Sequence, residues 1–413
     1  MGRGERSLRW NLYICMMSFW KNYGFTLALL AGVILGGVCG LVWGEGTAVV
    51  RPVGEVFLDA VFVLIVPLVA FSMSSATCKV CRSGVAWRLL GTTFGTFLLL
   101  SAVAGALAFA VFMIWNPFPA ASPEAFLADM QEAAGGGGVL SLKSAIAGSL
   151  LPLIGVSMAA GIVIALLRDK GRRAADFLES SMNLTVKLMR YVMYAAPLGI
   201  GCYFAWTVGS LGGEILGGYA DALLVYLIAA LVLFFAVNSA WVAAAGGKGM
   251  LGRYWRGMVP PSLTAVATSS SAVCIPLAME AAAGMGVRPL IADSVIPLGT
   301  NIHKDGSAIG GVVKVVFLLT IFGGAAPSWS GIFLVVGLGI LVGTVMGAVP
   351  TGGMTGELLI CSVLGYPPEM AAVLVVVSTL IDIPATLLNV SGNVVAAVVV
   401  NRLSSGYTGC TTE

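Results

Sequence analysis

The sequence is short of charge. Only 10% of its 413 residues are charged while 58% are hydrophobic, against about 25% charged in soluble domains. A chain with so little polar surface cannot coat itself for water, which excludes a soluble enzyme and a disordered or fibrous chain. There is a single histidine and a net charge of +3, too weak a bias to suggest a nucleic-acid partner. The short alternating segments of a transmembrane barrel are missing too, because 25–43, 56–71 and 331–341 are continuous apolar runs. The eight cysteines are scattered through apolar stretches and read as small packing residues rather than a disulfide framework. One C-x-x-C, at Cys78 and Cys81, has no second pair and carries little weight as a metal or redox motif. No small-residue cleavage site follows the basic start and the apolar stretch 12–20, so no cleavable signal is expected. What remains is an all-α membrane protein, with 54 aperiodic glycines suited to close helix packing in lipid.

Set against about 20 residues per crossing, spans fall near 24–44, 54–75, 90–115, 143–167, 192–210 and 215–245. The rest, 255–403, is apolar but interrupted by Pro260, Pro261, Pro297, Gly299, Gly306 and Pro384, among others. Basic residues gather on alternate loops. Arg3, Arg6, Arg9 and Lys21 precede the first span; Lys79, Arg82 and Arg88 follow the second; Arg168, Lys170, Arg172 and Arg173 follow the fourth; Lys248, Arg253 and Arg256 follow the sixth. That excess marks cytoplasmic loops, so both termini are expected in the cytoplasm, with the chain in the cytoplasmic (inner) membrane. The stretch 117–138, ending in four glycines, reads as a flexible external connection. Residues 172–190 read as an amphipathic stretch at the cytoplasmic face. Segments 255–324 and 328–403 share one arrangement: a broken apolar stretch with a small polar tip, then a long helix with ionisable residues. Paired interruptions of this kind point to a transporter's binding site built on inverted repeats.

Charge inside a span costs about 2.5–3.5 kcal/mol per residue on insertion scales and marks function by default. His303, Lys304 and Asp305 stand together just after Pro297, Gly299 and Asn301, and Lys314 is the one charge in 308–322. The pattern reads as an unwound turn inside a span, whose freed carbonyls can bind a cation or a substrate amine. In a plainer reading Lys304 and Asp305 merely neutralise each other, which is compatible with a site. Asp382, Thr386, Asn389 and Asn393 recur at i, i+4, i+7 and i+11, making one polar stripe on an apolar helix. Helix–helix hydrogen bonding accounts for the two asparagines but leaves Asp382 in need of a cation. Two short tips, Ser269-Ser270-Ser271 and Val349-Pro350 with Gly352 and Gly353, expose backbone N–H groups suited to a carboxylate.

In this order, the four elements resemble the dicarboxylate/amino acid:cation symporter family, the glutamate-transporter fold. The likeness covers nearly the whole chain. It rests on Ser269, Ser270 and Ser271, on Pro297–Gly299 with Asp305, Gly306 and Ser307, on Val349-Pro350-x-Gly352-Gly353, and on Asp382, Thr386 and Asn389. The resemblance implies eight transmembrane helices plus two re-entrant hairpins, assembled as a homotrimer in lipid and working as an elevator. Residues 1–89 would hold scaffold spans one and two, and 116–210 an external loop with scaffold spans four and five. Span three at 90–115 and everything in 211–413 would form the moving transport domain. Ser271 and Asn389 would hold the α-carboxylate of an amino acid, and Asp382 with hairpin carbonyls, including that of Val349, its ammonium. No cofactor is implied beyond a coupling Na+ or H+.

The departures are informative. Acidic-substrate members carry an arginine where this chain has Ala385, so a side-chain carboxylate would lie buried and unpaired. A neutral amino acid is therefore expected, although Lys304 could supply the positive charge. The family's asparagine and methionine before Asp305 are His303 and Lys304 here, and its final aspartate is Asn393. Its span-three ligands appear as Phe97, Leu100 and Ser101, and a second-hairpin threonine as Met346. Hard cations need several oxygens, and most of those are gone. Asp305, Asn389 and Asn393 would be the sodium ligands if sodium binds. Otherwise Asn301, His303, Lys304, Asp305, Ser101 and Asn393 make an altered coupling site. There the Lys304 ammonium takes sodium's place beside Asp305, with proton coupling as one version. The alternatives are a sodium- or proton-coupled symporter of acidic amino acids or C4-dicarboxylates, an ion channel, and an intramembrane hydrolase using a hairpin serine with His303. Asp382 argues against a dianion without an amine, and no nucleophile-elbow pattern accompanies the serines.

Overall fold

The computed structural model describes residues 24–25, 27–82, 87–115, 138–323, 327–348 and 354–404. Among them the regular structure is helical throughout, without a strand, so the all-α membrane class stands. Helices α1 (Leu27–Val49), α2 (Arg51–Arg82), α3 (Trp87–Trp115) and α4 (Gly138–Leu166) come first. They are followed by α5 (Arg172–Met193), α6 (Ala196–Leu211) and α7 (Ile215–Gly246), the last passing through a π-helical turn at Val232–Val237. Six described helices are long and apolar enough to cross a membrane, or seven if α5 and α6 count as one bent span.

The amphipathic stretch expected at 172–190 is the helix α5. Leu178, Thr185 and Met189, spaced for one face, are buried. Phe177, Leu184, Leu188 and Tyr191 are exposed, apolar surface suited to lipid rather than water. Helix α5 meets α6 at a bend of 57°, with Pro197 in the first turn of α6, where its missing N–H costs nothing.

The last third is built of six shorter pieces, α8 (Met250–Thr268), α9 (Ile275–Gly284), α10 (Pro289–Ile302), α11 (Asp305–Ile321), α12 (Ile332–Ala348) and α13 (Met354–Leu364), and one long helix, α14 (Met370–Leu403). The 14 residues of α10 rise about 21 Å, less than the roughly 30 Å of a hydrocarbon core, so α10 cannot span alone. It is continued, across a break, by α11. Helices α8 and α9 pack against each other around the tip at Ser269, Ser270 and Ser271. The second expected hairpin is flanked by α12 and α13, and its tip residues Val349, Pro350, Gly352 and Gly353 lie outside the described residues.

Packing has two centres. Helix α2 lies against α4, α5 and α6, while α14 touches α3, α7, α8, α9, α10, α11 and α13. Most of α14 is buried, including an unbroken run from Val394 to Val400. Deep in this second group Lys314 of α11 meets Glu357 of α13 in an ion pair, with Ser378 of α14 donating to the same carboxylate. Both charges are fully buried. Removing one partner strands the other in apolar surroundings, at about 3–5 kcal/mol. Lys314→Met is thus expected to lower the unfolding midpoint in detergent sharply, and adding Glu357→Leu should restore most of the loss.

Candidate functional site

The site is organised by the break between α10 and α11. His303 (φ −118°, ψ 110°) and Lys304 (φ −137°, ψ 80°) leave the helical conformation, and successive extended residues point to opposite sides. His303 and Asp305 therefore share one side and Lys304 takes the other.

A helix beginning inside apolar protein has N–H groups that water cannot reach. Asn389 of α14 supplies the acceptor: Gly306 N donates to its Oδ1 at 2.9 Å and Ser307 N at 3.4 Å. Tyr226 of α7 donates to the Gly306 carbonyl at 3.1 Å. The approach of α11 to α14 is close. A Cβ on Gly306 would strike the Ala385 backbone, and one on Gly392 would strike Asp305 Oδ2.

On the inner side lies a sealed polar cluster. Ser101 of α3 donates to Asp305 Oδ1 at 3.0 Å, and His303 Nε2 lies 2.9 Å from the same oxygen. That second contact is too far off the N–H axis for a linear hydrogen bond. On the ring's other edge Nδ1 lies 2.9 Å from Asn393 Oδ1. Phe97 stacks on the imidazole, centroids 4.5 Å apart and planes 8° from parallel. His303 and Asn393 are each 1% exposed and Asp305 2%. Asn393 Nδ2 has no hydrogen-bond partner among the described residues. No group of three His, Cys, Asp or Glu side chains among these residues is placed to hold a metal ion.

On the outer side lies a cavity of about 420 Å³. Ser269, Ser270, Ser271, Asn301, Lys304, Asp382, Ala385, Thr386 and Asn389 line it, with Met346 and, from the α1 and α6 side, Phe25, Leu29 and Ile200. The Asp382 carboxylate faces the Lys304 ammonium, with the Ser269 hydroxyl beside it. Ser269 holds the rare left-handed conformation (φ 47°, ψ 31°) at the end of α8.

The sequence-selected residues thus divide into two sets. The substrate set, apart from the second hairpin tip, converges on the cavity, and Ser101, His303, Asp305 and Asn393 converge behind it. One assignment changes. Lys304 was expected beside Asp305; the extended backbone turns it to Asp382's cavity, and His303 occupies the place at Asp305. Asn389 lines the cavity as expected for a substrate residue; its Oδ1 accepts from the start of α11, and its NH2 group, 3.4 Å from Ser307 Oγ, is turned to the cavity wall. Asn301 lines the cavity and donates to the Pro297 carbonyl at 2.9 Å, outside the inner cluster. Sequence reasoning did not find the Lys314–Glu357–Ser378 group. The signal was available, because each charge interrupts an apolar stretch and needs a partner.

Hairpin, helix break and polar stripe around one intramembrane cavity define a secondary membrane transporter. The chain matches the sodium:dicarboxylate symporter family over residues 25–403 and belongs to it. A C4-dicarboxylate transport protein of Bacillus subtilis (strain 168) is 26% identical, with 95% of this chain and 96% of the relative covered. A proton/sodium-glutamate symport protein of the same organism is 25% identical over 92% and 93%. The human excitatory amino acid transporter 2 is 26% identical over 62% of this chain and 45% of its own length. The protein is accordingly a multi-pass secondary symporter of the glutamate/C4-dicarboxylate family, whose named relatives are transporters of small molecules.

Gly392 offers a direct check of the close packing at Asp305. Gly392→Val forces a side chain against that carboxylate and should cost about 1–3 kcal/mol of stability, the usual range for overpacking. Gly392→Ala should cost less. An unchanged detergent unfolding midpoint for the valine variant would show α11 and α14 to be further apart.

Proposed function

We propose that the protein carries a neutral amino acid across the membrane. Residues 90–115 and 211–413 would move as an elevator against a homotrimeric scaffold of 1–89 and 116–210. One observation carries the reading: the Asp382 carboxylate forms part of the cavity wall, with Ala385 one turn along where acidic-substrate relatives have arginine. A substrate ammonium satisfies Asp382, and a second carboxylate would find no bidentate partner.

Sodium coupling is reduced in this reading. The oxygens of Asp305 and Asn393 face the imidazole of His303, and Ser101 donates to Asp305, where a hard cation would need these oxygens for itself. The ring's two nitrogens each stand 2.9 Å from an oxygen, so the imidazole fills the space a cation would need. The ion-replacing role first given to Lys304 passes to His303, with proton exchange at His303 as the coupled version.

A second reading, a sodium- or proton-coupled symporter of acidic amino acids or C4-dicarboxylates, is favoured by what the named relatives carry. Uptake into proteoliposomes separates the two. Uptake of neutral amino acids should change by less than about 2-fold when choline replaces a sodium gradient, because no binding energy is linked to sodium. Asp382→Asn should weaken binding by about 30-fold or more, the cost of losing a charged hydrogen-bond partner. Transport restricted to succinate or glutamate, or collapsing without sodium, would overturn the proposal.

A further inference from the structure

Lys304 has an unspent positive charge. The cavity's other lysine, Lys314, is paired with Glu357 and Ser378. His303 and Asp305 are occupied with each other, Asn393 and Ser101 in the sealed cluster behind. Among the described residues, that leaves Lys304 and Asp382 as the two cavity-facing charges outside any ion pair, Asp382 with the Ser269 hydroxyl beside it. They interact electrostatically across it, yet no ion pair within 4 Å and no hydrogen bond joins them, and Lys304 Nζ has no hydrogen-bond partner among the described residues. A half-buried lysine in a cavity wall is suited to an anionic partner. Its backbone is held at the wall: the Lys304 carbonyl accepts from Ala308 N at 2.8 Å, opening α11.

Resting on the proposed amino-acid substrate, we propose that Lys304 is a substrate-binding residue that takes the α-carboxylate while Asp382 takes the α-ammonium. The two side chains form a dipole opposed to that of a zwitterion, so both poles of the ligand are paired and the occupied cavity gains no net charge. In the empty cavity the same two charges balance each other. The other donors open to the carboxylate, the Asn389 NH2 group and the serine tip, are neutral. A charge-assisted contact is roughly twice as strong as a neutral one.

The test is binding to purified protein, by calorimetry or thermal shift, of a panel of neutral L-amino acids, the corresponding amino-acid amides, L-aspartate and succinate. Wild-type protein should prefer an amino acid to its amide by about 10-fold or more, the discrimination expected when a buried charged group loses its partner. Lys304→Met should erase that preference while still binding the amides, and Lys304→Arg should keep most of it. Circular dichroism and the unfolding midpoint establish that each variant is folded. If Lys304→Met misfolds, Lys304→Gln serves in its place.

A preference for acid over amide that survives loss of the lysine would overturn the assignment. So would a variant that loses only L-aspartate, since Lys304 would then read a distal carboxylate, or one that changes only sodium dependence. Wild-type protein that binds succinate and no amino acid would sink the substrate reading as well, which keeps the two failures apart.

Discussion

The side-chain carbonyl of Asn389 accepting the first N–H groups of α11 is the contact on which the site depends. A helix that restarts inside apolar protein must have its leading N–H groups satisfied by protein, since no water is there to do it. With that acceptor on α14, the break between α10 and α11 becomes tenable at one height along α14 and in one rotational setting. Gly306 and Gly392 then let the two helices close up. The stripe of α14 that caps the break also carries Asp382 and Thr386, so cap and cavity wall are one surface.

From the break follows the division of labour between its residues. Two extended residues send His303 and Lys304 to opposite sides, one into a sealed cluster with Ser101, Asp305, Asn393 and Phe97, the other into the cavity with Asp382. Neighbours in sequence are thereby assigned to separate electrostatic environments a few ångströms apart. The Lys314–Glu357 pair stabilises the same assembly from deeper in, fastening α13 to α11 and α14. Because it consumes its own charges, it leaves the cavity's balance to Lys304 and Asp382 alone.

Much of this was legible in the residues. Long apolar runs gave the membrane and the helical class, and the 3.6-residue spacing of Asp382, Thr386, Asn389 and Asn393 placed them on one face. Pro297 and Gly299 ahead of three ionisable residues marked the break. The serine tip and the stripe, chosen for their chemistry, do meet at one cavity. Less legible were the partners. The pairing of Lys304 with Asp305 was the natural inference from adjacency, and adjacency misleads wherever the backbone is extended. The Lys314–Glu357 pair, 43 residues apart in sequence, could be suspected only from two isolated charges that each needed an opposite.

The sequence by itself determined the solvent, the helices, the broken span and which residues were too costly to bury without purpose. These depend on local composition and on period, which a linear string records. Only the tertiary structure decided that His303 stands at Asp305, that Asn389 caps a helix and that Lys304 faces Asp382. Those outcomes turn on two backbone dihedral pairs and on how closely α11 lies against α14, quantities fixed by packing between segments more than 80 residues apart.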